Sequence, residues 1–148
     1  MLDGVFKLKP DTALVIAGFS FPAFSGLGEL RNRRTHMCVP NQGPIPVGMY
    51  YIVDRPEGRT FGLVHKLFKG DWFALYAKDK VIDDERYCAG LLRGQFRLHP
   101  KGSNGRSEGC ITVEHQSDFD LLYSLLKQTG KESIPGTDFM TYGTVRVS

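Results

Sequence analysis

Long apolar runs are missing from this chain. No stretch approaches the roughly 20 residues needed to cross a bilayer as a helix, so stable membrane insertion is not expected. Residues 14–17 are apolar, but Gly18 and Pro22 follow too closely for them to form the apolar region of a cleavable export signal. The chain is therefore expected to be made in the cytoplasm and exported, if at all, by a route that reads no such signal. Cysteine is scarce. Cys38, Cys88 and Cys110 lie far apart with no CxxC spacing, which argues against a zinc site. No basic stripe with interleaved aromatics appears, and a formal charge of +3 is too mild to indicate a nucleic-acid partner.

Turn residues, by contrast, are plentiful. The chain has 17 glycines and 8 prolines in 148 residues, spread along its length, which predicts many short strands joined by turns rather than a helical bundle. That length suits one domain, 1–148, able to bury a core without help from metal or disulfides. Strands are expected at residues 5–8, 14–17, 49–53, 61–64, 72–77, 95–99 and 143–147. Residues 19–28 (FSFPAFSGLG) lack a helical period and read as a surface excursion, and 29–36 as a polar basic loop. Residues 42–48 (QGPIPVG) are stiffened by two prolines. One helix is expected after Cys110. Ser117 is its candidate N-cap, Asp118 and Asp120 suit the first turn, Phe119, Leu122, Leu125 and Leu126 form the apolar face, and Gly130 ends it. The domain is thus mainly β with one prominent helix.

The odd cysteine count allows one pair and one free thiol. A Cys38–Cys88 bond would leave Cys110 free; two buried free thiols are the alternative.

The densest run of chemically informative residues is 96–113, FRLHPKGSNGRSEGCITV. A strand ends at His99, a loop of small polar residues follows, and Cys110 opens the next apolar strand. Cysteine attacks as a thiolate and needs a base or cation near it. A histidine at a neighbouring strand end can take the thiol proton and later return it to a leaving amine. Gly109 leaves the backbone N–H groups around Cys110 open, as an oxyanion hole requires. Arg106, Ser107 and Arg97 are candidate substrate contacts by proximity, Arg106 as a partner for a carboxylate. The bland alternative makes Cys110 a small buried residue and His99 a polar strand end. His36 and His65 read as surface or satisfied histidines, and His115 as a secondary base candidate beside the helix. Asp83, Asp84 and Glu85, like Arg31, Arg33 and Arg34, read as solvated charge.

These residues resemble the L,D-transpeptidase (YkuD-like) catalytic domain. The likeness rests on His99, on Ser107-x-Gly109-Cys110-Ile111, on Asp118-x-x-x-Leu122-Tyr123, and on Gly43-Pro44-Ile45-Pro46-x-Gly48-x-Tyr50 upstream. The resemblance implies a compact β-sandwich or barrel, a Cys110 nucleophile with His99 as base, and the Pro100 backbone carbonyl orienting the imidazole. It implies attack on the diaminopimelate–D-alanine bond of peptidoglycan tetrapeptide stems, giving L,D-carboxypeptidase or L,D-transpeptidase products with no metal or organic cofactor. Housekeeping members carry His where this chain has Glu108, and Arg or Asn where it has Thr112. Those departures favour the branch of type VI secretion effectors. That branch implies an antibacterial toxin acting in the periplasm of a target cell, with a delivery component and a neutralising immunity protein as partners. Two other readings are a Cys–His amidase or endopeptidase of another fold, and a non-catalytic wall-binding β domain.

Overall fold

The computed structural model describes residues 1–56, 72–102 and 109–148. Eight strands close into a barrel. In chain order they are β1 (Leu2–Phe6), β2 (Ala13–Ile16), β3 (Phe19–Phe24), β4 (Gly48–Asp54), β5 (Phe73–Ala77), β8 (Arg97–Pro100), β9 (Ile111–Val113) and β12 (Gly143–Val147). Around the barrel the order is β1-β12-β4-β5-β8-β9-β3-β2. Two hairpins stand outside it: β6 (Glu85–Cys88) with β7 (Leu91–Gly94), and β10 (Glu132–Ser133) with β11 (Met140–Thr141). Among the described residues the fold is mainly β with one α-helix, as the turn-rich composition predicts; the barrel form replaces the sandwich alternative.

Alternation along the strands sorts residues between two faces. Phe6, Leu14, Ile16, Tyr50, Ile52, Phe73, Leu75, Leu98, Ile111 and Val145 point inward and are fully buried. Helix α1 (Gln116–Thr129) lays Phe119, Leu122 and Leu126 onto the same core. Phe73 meets the rings of Tyr123 and Tyr142 at 5.5 and 5.3 Å. On the outer face of β4 and β5, Tyr51, Val53, Ala74 and Tyr76 form a second small cluster, covered by Ile134.

Three expectations change. Residues 19–24 form strand β3, with Phe21 and Ala23 inward; Pro22 masked the alternation. Its missing N–H costs little, since its carbonyl still accepts from Glu114 N–H at 2.9 Å. The helix begins at Gln116 with His115 in the N-cap position, so Ser117 lies inside the first turn and Asp120 beyond it. Residues 29–36 contain two short 3-10 turns, Gly28–Leu30 and Arg34–His36, and Arg31 rests 3.8 Å over the Phe24 ring. Gly130 does end the helix, with φ of +80°. The strand expected at 61–64, together with His65, lies outside the described residues.

Candidate active site

A parallel contact in the barrel sets up the site. Strands β8 and β9 pair with Leu98 opposite Ile111, His99 opposite Thr112 and Pro100 opposite Val113. Leu98, Ile111 and Val113 are fully buried in the interior. By alternation Arg97, His99 and Thr112 share the other face, and Cys110 immediately precedes β9. The ladder and the interior side chains hold the backbone of His99.

His99 is buried, and its Nδ1 lies 2.7 Å from the Pro100 carbonyl oxygen. A carbonyl only accepts, so Nδ1–H donates and the neutral ring carries its lone pair on Nε2. The Pro100 carbonyl is the one that the resemblance singled out. Trp72, just before β5, stacks on the imidazole with centroids 4.3 Å apart and planes at 23°. The β5–β8 register explains this, because Phe73 pairs with Leu98 and the preceding residue falls opposite His99. Arg55 lies 5.2 Å over the outer face of the indole. The Thr112 side chain is fully buried, and its hydroxyl has no hydrogen-bond partner among the described residues.

Cys38 and Cys88 form the disulfide, with Cα atoms 5.2 Å apart, and Cys110, partly exposed, is the cysteine outside it. The two-buried-thiols alternative is therefore set aside. Gly109 has φ of +103°, where only glycine is comfortable. A Cβ there would collide with Arg93 Nη2 and sit 3.1 Å from the Phe96 ring. The expectation of open space at Gly109 is thus modified. The room a side chain would need is filled from within, by Arg93 and Phe96.

Arg93, on β7, escaped the sequence reading. It is only 4% exposed, and its Nη1 donates to the Met37 and Pro44 carbonyls, both at 2.6 Å, while Nη2 donates to Gly43 at 3.1 Å. Burial pushes its pKa below the ordinary arginine value, with attraction to Tyr50 and Cys110 acting the other way. Arg97 interacts electrostatically with Cys110, and its fork holds Asp84 through two bonds of 2.7 Å. Burial opposes its charge, but the Asp84 hydrogen bond and charge outweigh that and raise its pKa. Asp84 is therefore not the solvated acid expected of the 83–85 trio. Arg106 and Ser107, the other candidate substrate contacts, lie outside the described residues, as does Glu108. His115 is exposed at the helix start. Among the described residues no group of three His, Cys, Asp or Glu is placed to hold a metal.

The closed barrel thus carries an imidazole in contact with a backbone carbonyl on β8 and a partly exposed thiol just before β9. Residues 20–137 match the Tlde1 domain, and the chain belongs to that family, which by name comprises type VI secretion L,D-transpeptidase effectors. No curated protein and no solved structure matches the chain.

Proposed function

We propose that this domain is a cysteine enzyme that cleaves the diaminopimelate–D-alanine bond of peptidoglycan tetrapeptide stems, delivered by type VI secretion into a competitor's periplasm. The observation supporting this reading is the pairing of β8, which carries His99, with β9, which begins one residue after Cys110, within a Tlde1-family chain. His99 Nε2 takes the Cys110 proton. The thiolate attacks the diaminopimelate carbonyl, the Sγ–C bond forms, the C–N bond breaks, and the imidazolium protonates the departing D-alanine amine. Backbone N–H groups at Gly109 and Cys110 stabilise the oxyanion. Water then resolves the thioester to a tripeptide, or an amine resolves it to a cross-link or an exchanged D-amino acid. Arg97, Arg106 and Ser107 are the proposed contacts to the stem. An immunity protein and a delivery component of the secretion apparatus are the proposed partners.

The test is mass spectrometry of muropeptides after incubation with the domain and with Cys110→Ala. The wild type is expected to convert tetrapeptides to species lacking, or having exchanged, the terminal alanine, and Cys110→Ala to lose this entirely. Release of whole peptides instead would turn the reading toward an amidase, and full activity in Cys110→Ala would end it.

A further inference from the structure

A histidine that shuttles protons must present Nε2 in one direction, and its side chain does not choose that direction alone. The torsion that turns the ring has broad, roughly two-fold preferences. In His99 the contact between Nδ1 and the Pro100 carbonyl oxygen, 2.7 Å long, fixes one ring atom. A single hydrogen bond still lets the ring plane pivot about the line joining donor and acceptor. The indole of Trp72 lies against that plane, with centroids 4.3 Å apart and an inclination of 23°. Carbonyl and indole thus constrain different motions of one ring.

The indole is itself anchored by the sheet. Phe73, the next residue, is fully buried in the core, where it meets the Tyr123 and Tyr142 rings. Phe73 pairs with Leu98 and Ala74 with Arg97, so the same antiparallel register sets Trp72 beside His99. Arg55, just beyond β4, adds a contact from its guanidinium, with Cζ 5.2 Å from the indole centroid.

We propose that Trp72 is a positioning residue for His99: its indole face holds the imidazole plane, and with it the direction of the Nε2 lone pair, while the Pro100 carbonyl holds Nδ1–H. The inference rests on the reading of His99 as the base. Trp72 acts through the imidazole and not on the stem peptide, so its loss affects turnover and leaves binding alone.

The experiment pairs kinetics of muropeptide conversion with NMR of protein carrying isotope-labelled histidine, using Trp72→Leu and Trp72→Phe. Trp72→Leu is expected to lose about tenfold to a hundredfold in kcat with KM within about twofold of wild type. Trp72→Phe restores a ring face and is expected to recover most of that loss. In the spectra, wild-type His99 is expected to hold one tautomer, protonated at Nδ1, with ring protons shifted upfield of those of His36, His65 and His115 by the indole. Trp72→Leu is expected to mix the two tautomers. A merely structural role would lower the melting temperature of both variants and leave tautomer and kcat as in wild type, which overturns the proposal. A loss confined to KM overturns it too, since Trp72 would then be a substrate contact. Should Trp72→Leu fail to fold, the wild-type spectrum decides: His99 ring protons at ordinary positions mean that no indole face covers the ring, and the proposal falls. Full conversion by Cys110→Ala or His99→Gln would sink the catalytic reading instead, with the tautomer of His99 in Trp72→Leu still deciding the positioning, so the two failures are distinguishable.

Discussion

Replacing both Cys38 and Cys88 by serine removes a cross-link between positions 50 residues apart. In the chain-entropy description, closing a loop of that size restricts the unfolded ensemble by about 4 kcal/mol at 25 °C. For 148 residues the unfolding entropy near the melting point is about 310 cal/mol/K, so the loss converts to a drop in Tm of about 13 °C. The comparison is best made in a Cys110→Ser background, which prevents thiol exchange, with thermal unfolding followed by calorimetry. The same drop should appear when the bridged protein is treated with dithiothreitol, whose two thiols supply the electrons and protons and close to a cyclic disulfide. The consequence is also local, because the bridge ties the β6–β7 hairpin to the segment that holds Arg93. A drop below about 3 °C, with the bridge verified by mass in the parent, would refute the claim that this cross-link constrains the unfolded chain.

Gly109→Ala should destabilise the fold by about 2–4 kcal/mol, since a left-handed φ and a collision with Arg93 both resist a Cβ; urea unfolding within 0.5 kcal/mol of wild type would contradict this. Asp54 offers a pH test. Burial opposes its carboxylate, but hydrogen bonds from Tyr142, Lys131 and Lys127 together outweigh it and hold the carboxyl below its ordinary range. A depressed folded-state pKa contributes stability above the unfolded value, near 3.9, and loses it as pH falls through the folded value. Asp54→Asn should therefore cost under about 1 kcal/mol at pH 7, given its exposure, and the cost should vanish in strong acid; chemical denaturation at both pH values measures it.

Much of this fold can be read from strand periodicity. The strands read at 14–17, 49–53 and 143–147 correspond within about a residue to Ala13–Ile16, Gly48–Asp54 and Gly143–Val147, because apolar, aromatic and β-branched residues there agree with burial. The β6–β7 hairpin went unread for a physical reason. Its turn is Ala89–Gly90, both at positive φ, and alanine stands where Asn or Asp would have signalled the turn. Arg93 was hidden by the same hairpin and by the default expectation that arginine is solvated. Cys110 and His99 stood out as candidates because a thiol flanked by glycine and serine, with an upstream histidine, is chemically suggestive even before placement. Trp72 did not, since its stacking on His99 depends on a strand register that no local pattern encodes.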